Sequence, residues 1–123
     1  MPYVEIIGPR TDAANRQILV SAVTDGIVAS FGVSPSIVTV YFLSIDADDY
    51  GHEGRLGFDR GGARIFVKVH AYRRGLAEKR AVATAFSQQV ADCFDTPVHN
   101  VGVYFIDRES NEVAHGGRMA CDD

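Results

Sequence analysis

The chain has 123 residues, a length that suits one folded domain and is too short for two independent cores. Hydrophobic residues make up 46% of it, and no apolar run is long enough for a membrane-spanning segment. Its formal net charge is −4 at pH 7, so a basic nucleic-acid-binding surface is not expected. The N-terminus lacks the features of a secretory signal and the two cysteines form no disulfide framework, which favours the reducing cytoplasm.

The first predicted elements are a strand, a helix and a second strand. The first strand is the β-branched run at 2–7, and Thr11 or Asp12 is a suitable N-cap for the helix that follows. Pro35 is expected to end this helix, and the second strand covers residues 37–45. The apolar residues of the helix recur at a spacing of three to four, as Ile18, Leu19, Ala22, Val23, Ile27 and Phe31.

The segment at 46–62 is rich in Asp and Gly and predicts a linker that contains a short hairpin. A second strand–helix–strand unit follows it. The first strand of this unit covers residues 65–71, the last covers 101–106, and Pro97 is expected to end the helix between them. The apolar residues of this helix again recur at helical spacing, as Val82, Ala85, Phe86, Val90 and Phe94.

The two units are copies of each other. When the sequence is shifted by 63 positions, its halves align without a gap and many residues are identical. The identical pairs include Val4/Val67, Arg10/Arg73, Ala22/Ala85, Phe31/Phe94, Val40/Val103, Tyr41/Tyr104, His52/His115, Gly54/Gly117 and Asp59/Asp122. We therefore predict one domain over residues 1–123, built from repeats at 2–60 and 65–123.

A strand, a helix and a strand in succession form a right-handed crossover, which makes the two strands of each copy parallel. Two such units predict an α/β (α+β) fold, in which a four-stranded sheet carries both helices on one face. The other face of the sheet would remain open. Its aromatic residues, expected to be covered by other subunits, are Tyr41, Phe42, Tyr104 and Phe105.

Several motifs resemble the 4-oxalocrotonate tautomerase family. Pro2 follows Met1 directly, Arg10-Thr11-Asp12 opens the first helix, and Gly51-His52-Glu53-Gly54 is similar to a hairpin of that family. The double-length format resembles the malonate semialdehyde decarboxylase and cis-3-chloroacrylic acid dehalogenase branches, which pair the N-terminal proline with two arginines of the second copy. The resemblance implies the tautomerase/MIF-like fold and a homotrimer.

The same resemblance implies a cofactor-independent tautomerase that acts on a small α-keto or enol carboxylic acid. Pro2 would be the general base once Met1 is removed, because a proline nitrogen in an amide bond is not basic. A free N-terminal amine has a pKa of about 7.7–8.0, and burial or neighbouring cations lower that pKa. A base near neutral pH can take a proton from the carbon next to a carbonyl and return it elsewhere.

Three more site residues follow from the resemblance. Arg73 and Arg74 come after the first strand of the second copy, and a guanidinium fork can hold both oxygens of a substrate carboxylate. Because they are adjacent, they would point in opposite directions in an extended strand. Tyr104 matches the dehalogenase tyrosine that polarises substrate or activates water. Ile65, the repeat mate of Pro2, has no free amine, so one of the two pseudo-symmetric sites is expected to be inactive.

The residues leave the reaction open. The aspartate of the decarboxylase branch is replaced by Ser36-Ile37-Val38, and the histidine of the dehalogenase branch by Ile27. The glutamate of that second branch falls at Ala114, with Glu112 nearby. A decarboxylase or hydratase-type dehalogenase acting on a three-carbon acid stays an alternative, as does a non-catalytic trimeric homologue. The four histidines show no metal-ligand spacing, and no metal is expected.

Overall fold

The computed structural model describes residues 1–122. Its two β-α-β units consist of β1 (Tyr3–Pro9), α1 (Ala13–Phe31), β2 (Thr39–Ile45), β5 (Ile65–Tyr72), α2 (Leu76–Cys93) and β6 (Val101–Arg108). Each unit is followed by a small hairpin, formed by β3 (Gly51–His52) with β4 (Arg55–Leu56) and by β7 (Ala114–His115) with β8 (Arg118–Met119). Within residues 1–122, no helix is long and apolar enough to cross a membrane.

The main sheet has the strand order β2-β1-β5-β6. β1 and β2 are parallel, β5 and β6 are parallel, and the two units meet through the antiparallel pair β1–β5. In that pair Glu5 lies directly opposite Lys68, its own repeat mate, so a pseudo-twofold axis passes between them. The predicted duplicated β-α-β fold is confirmed, including the parallel pairing within each copy.

The core lies between the helices and one face of the sheet. Along β1 and β5, alternate side chains point to the helices, as strand geometry requires, and these are the buried ones, together with His70 on the other face. The crossing of the two helices is close, because a Cβ atom on Gly26 would lie 2.9 Å from the Cβ of Ala85. The fully buried core side chains include Val4, Ile6, Leu19, Val23, Ile27, Ile65, Val67, Val69, Val82, Phe86 and Val90.

The aromatic residues of the open face are only partly those expected. Tyr41 and Tyr104 do lie on it, with 55% and 54% of their surface exposed. Phe42 and Phe105 do not need cover from a partner, because the two-residue period of their strands turns them to the helix side, where they pack against the core. Ile18 also departs from expectation, since it is half exposed at the edge of the α1 stripe.

The ends of α1 show which residues control its length. Asp12 is the N-cap, and its carboxylate accepts a hydrogen bond from the Asn15 backbone nitrogen at 2.8 Å. The expectation that Pro35 ends the helix is wrong, because Gly32 ends it first in the left-handed conformation, with φ 66°. Pro35 instead begins a short 3-10 turn, Pro35–Ile37, and β2 therefore starts at Thr39 rather than at residue 37.

A hydrogen-bonded network fixes the linker hairpin to the start of β5. The Tyr50 hydroxyl donates to Asp59 at 2.7 Å and accepts from the Arg64 backbone nitrogen at 2.9 Å. The Arg64 Nε donates to His52 Nε2 at 2.8 Å, so the proton of the neutral ring is on Nδ1, 3.0 Å from Asp59. Hydrogen bonds from Tyr50 and then from His52 hold the pKa of Asp59 below its ordinary value of 3.8.

This network predicts a pH-dependent contribution to stability. A carboxylate with a lowered pKa stabilises the fold above its ordinary pKa, and that stabilisation is lost as the pH falls through the folded-state pKa. Asp59→Asn offers one acceptor oxygen instead of two, so its melting temperature should be below that of the wild type at neutral pH. The difference should shrink as the pH falls below about 4. Thermal melts across this range test it, with Asp25→Asn on the exposed side of α1 as the control; an equal loss in both variants would contradict it.

Candidate active site

The register of β1 and β5 decides which residues meet at each end of the sheet. Tyr3 pairs with His70, so the chain before β1 and the chain after β5 lie at the same end. Pro2 therefore shares this end with Arg73 and Arg74. Arg10 follows β1 at the opposite end, near the start of β5.

Pro2 lies at the boundary between the core and a surface cavity. Its ring is fully buried. The two residues that flank it, Met1 and Tyr3, both line a cavity of about 510 Å³. The Pro2 nitrogen is bonded to the Met1 carbonyl carbon, so removal of Met1 would leave that nitrogen at the cavity wall.

The wall of this cavity is largely aromatic and apolar. The rings of Tyr3 and Tyr41 meet edge to face, with centroids 6.2 Å apart. The cation of the wall is Arg108, at the end of β6, and its acidic residue is Glu112. The remaining lining residues are Thr39, Val113, Ala114 and His115. An apolar cavity with one cation suits a small organic anion.

The two predicted arginines lie close in sequence but diverge in space. β5 ends at Tyr72, so both belong to the turn before α2. Arg73 is exposed and donates to Glu109 at 2.8 Å and to Asp107 at 3.4 Å; the bond to Glu109 raises the pKa of its guanidinium. Arg74 folds back, donates to the Tyr72 carbonyl at 3.0 Å and places its guanidinium 4.9 Å from the Phe31 ring centre. Neither is among the described residues that line the cavity.

Tyr104 is also away from this cavity within its own chain. It lies on the open face of β6, where its ring is 5.4 Å from that of Phe66. Its repeat mate Tyr41, by contrast, does line the cavity wall. A role for Tyr104 at the Pro2 site therefore needs a second copy of the chain.

Sequence reasoning missed a polar chain beside the cavity. On the open face of the sheet, Glu5 Oε2 is 2.7 Å from His70 Nε2, and Arg108 Nη1 is 2.8 Å from His70 Nδ1. The Tyr3 ring stacks on His70, with centroids 4.2 Å apart and planes only 6° from parallel. A guanidinium can only donate, so Nδ1 accepts from Arg108 and the proton of the neutral ring is on Nε2, facing Glu5.

The repeat alignment contained a signal for this network. The mates of Glu5, His70 and Arg108 are Lys68, Ile7 and Ile45. In each pair a charged or polar residue has been exchanged for an apolar residue or one of opposite charge. A duplicated fold whose copies differ at three contacting positions has different chemistry at its two ends, and the polar end is the end of Pro2.

No protein-family model and no curated protein matches this sequence. Solved structures do match it. A native fused 4-OT gives a TM-score of 0.86 at 23% identity, covering 98% of this chain and 97% of that one. The F6 fused 4-OT wild-type asymmetric trimer gives 0.87 at 20% identity, with coverages of 98% and 97%. N1, a member of the cis-3-chloroacrylic acid dehalogenase family, gives 0.75 at 20% identity, covering 95% of this chain and 82% of that one.

The chain has the fused 4-OT fold. The fold implied by the leading proline and the internal repeat is therefore confirmed, and so is its similarity to the dehalogenase branch. Identities of this size establish the architecture, whereas the activity has to be argued from the site.

The hydrogen-bond directions at His70 make a spectroscopic prediction. Long-range ¹⁵N–¹H NMR spectra should show the neutral form of the His70 ring as the tautomer with its proton on Nε2. In Arg108→Ala the ring loses the donor to Nδ1, so the Nδ1 signal should move away from its wild-type position, while the Nε2 proton stays hydrogen-bonded to Glu5. His99, on the turn before β6, is the control and should not change. A proton on Nδ1 in the wild type would contradict the arrangement.

Proposed function

We propose that this protein is a cofactor-independent tautomerase that moves a proton within a small α-keto or enol carboxylic acid. One observation carries the proposal. Pro2, which is fully buried, lies between two residues that line a cavity containing an arginine, at the start of the first strand of a fused 4-OT fold. Removal of Met1 would turn its amide nitrogen into a secondary amine facing that cavity.

The surroundings of Pro2 suit a base that works near neutral pH. An N-terminal amine has a reference pKa of about 7.7–8.0, and both an apolar environment and nearby positive charge disfavour its protonated form. The Pro2 ring is packed in the core, and Arg73, Arg74 and Arg108 lie at the same end of the sheet. The packed ring also fixes the direction of the nitrogen, so the proton is removed and returned along a defined path.

The arginines at this end would hold the substrate carboxylate while Pro2 moves the proton. Arg73 and Arg74 remain the proposed clamp, although the described chain pairs Arg73 with Glu109 and Asp107 and turns Arg74 toward Phe31. For Arg73 to bind substrate, its exposed guanidinium has to exchange Glu109 and Asp107 for the ligand. Ion pairs of an exposed arginine contribute little to stability, so breaking them costs little free energy.

We also propose a homotrimer assembled through the open face of the sheet. The exposed side chains of that face include Tyr41, Leu43, Phe66 and Tyr104, which form an apolar surface that assembly would cover. The F6 fused 4-OT structure with this fold is a trimer. In such an assembly, Tyr104 of a neighbouring copy would reach the Pro2 site and polarise the substrate.

A second candidate function is addition of water to a three-carbon unsaturated acid, as in a hydratase-type dehalogenase. The observation that favours it is Glu112, a carboxylate in the cavity wall that could activate water. Comparing enol acids with chloroacrylates as substrates of the processed protein separates the two reactions.

The role of Pro2 gives a direct prediction. In protein shown by N-terminal mass spectrometry to lack Met1, Pro2→Ala should fold normally and lose most of its turnover of an enol acid, because a primary amine is more mobile and differently placed. The pH profile of the wild type should show a basic limb below the reference amine pKa. Full turnover in Pro2→Ala, or a wild type that retains Met1 and stays active, would rule out Pro2 as the base.

The two repeat-mate arginines give a second prediction. Arg73→Ala should lower kcat/KM by about 30-fold or more, the usual cost of losing a charged hydrogen bond to a substrate. Arg10→Ala should change kcat/KM by less than about 3-fold, because Arg10 lies at the end of the sheet that has no free amine. Steady-state kinetics on both variants decides between them; equal losses would mean that the wrong arginine has been assigned.

A further inference from the structure

We propose that Arg108 binds the substrate carboxylate directly from the wall of the Pro2 cavity, in addition to the proposed contact from Arg73 and Arg74, and that His70, held by Glu5, positions it. The assignment deepens the proposed function and rests on it. It names a residue that neither the leading proline nor the arginine pair Arg73-Arg74 indicates. It also gives a role to the histidine and the glutamate on the open face of the sheet.

The first argument is charge. Arg108 is half buried, and no carboxylate among residues 1–122 forms an ion pair with it. The neighbouring cations at this end already pair with carboxylates. Arg73 pairs with Glu109 and Asp107, Lys79 with Asp107, and Arg74 with Glu78 at 3.7 Å. A partly desolvated guanidinium without a counter-ion favours an anionic ligand, and this one lines a cavity.

The second argument is geometry. His70 is buried, stacked on Tyr3, and accepts one hydrogen bond from Arg108 Nη1 at 2.8 Å. Glu5 fixes the other nitrogen of the histidine, so the ring is held in place. The hydrogen bond to this ring uses one of the five N–H groups of the Arg108 guanidinium. The four N–H groups that remain are enough for bidentate binding of a carboxylate, which uses two parallel N–H donors.

Glu112, the acidic residue of the cavity wall, does not neutralise the charge of Arg108. Glu112 forms no ion pair with Arg108 in the described part of the chain, and its Oε1 accepts from the Glu109 backbone nitrogen at 3.4 Å. The aromatic rings of Tyr3 and Tyr41 form the neighbouring surface. The cavity therefore combines an available cation with apolar walls, which fits a carboxylate attached to a flat unsaturated group.

The third argument is the asymmetry of the repeat. At the opposite end of the sheet, the positions equivalent to Arg108 and His70 are Ile45 and Ile7. The pseudo-twofold therefore relates the His70–Arg108 pair to two isoleucines. The free amine of Pro2 and the unpaired guanidinium would occur at the same end of the sheet, as a base and a carboxylate site that act on one substrate must.

The experiment compares a charged substrate with its neutral ester. Phenylenolpyruvate and its methyl ester are offered to wild-type protein, Arg108→Ala and Arg80→Ala, the last being an exposed arginine of α2. Arg108→Ala should lower kcat/KM for the acid by about 30- to 1000-fold and for the ester by less than about 3-fold. Arg80→Ala should change neither. Equal losses on acid and ester, or an equal loss in Arg80→Ala, would overturn the assignment.

The role of His70 is tested by a conservative replacement. His70→Ala removes the anchor and should lower the acid-to-ester ratio of kcat/KM by about 10-fold. His70→Gln keeps one acceptor and one donor, so it should restore most of that ratio. If both variants lose activity on acid and ester alike, His70 acts only on the fold and positions nothing.

A binding measurement separates failure of this assignment from failure of the proposed function. Calorimetric titration with cinnamate and with its neutral amide needs no turnover. The wild type should bind the acid at least about 10-fold more tightly than the amide, and Arg108→Ala should abolish the difference. If the acid is preferred but no enol acid is turned over, the tautomerase proposal fails and the Arg108 site stands; no preference for the acid overturns the site. Should Arg108→Ala not fold, Arg108→Met replaces it.

Discussion

The antiparallel pairing of β1 with β5 controls where every functional group of this protein lies. It places Glu5 opposite Lys68, its own repeat mate, and so creates the pseudo-twofold axis of the sheet. Each β-α-β unit alone has an edge strand with unpaired backbone groups and half of an apolar core. Joining the units at this register pairs both inner strands and brings α1 and α2 together over one face. The same register brings the end of β5 to the beginning of β1.

The two ends of the pseudo-symmetric sheet carry different side chains at equivalent positions. One end has Pro2, His70 and Arg108, while the equivalent positions at the other end are Ile65, Ile7 and Ile45. The buried positions differ less, because both halves must fill the same volume under the helices. A duplicated gene product can keep its packing on one face and vary the open face and the strand ends, where substitution costs little stability.

The arginines at the Pro2 end of the sheet differ in whether a carboxylate neutralises them. The sequence between Arg60 and Arg80 is rich in cations, which suggests a broad positive surface. In the fold, Arg73 and Lys79 share Asp107, Arg73 also binds Glu109, and Arg74 is directed to Phe31. Arg108, further along the chain, contacts a histidine instead of a carboxylate. An arginine that is already neutralised by carboxylates offers less attraction to a substrate anion than one that is not.

The sequence determined the duplication, the four long strands and the two helices, because strand and helix periodicity and a gapless repeat are local or directly comparable features. It misplaced the end of α1, since Gly32 stops the helix before Pro35, and it assigned Phe42 and Phe105 to the open face. The tertiary structure alone showed that Glu5, His70 and Arg108 form one network. They are far apart in sequence, and only the pairing of β1, β5 and β6 brings their side chains within hydrogen-bonding distance.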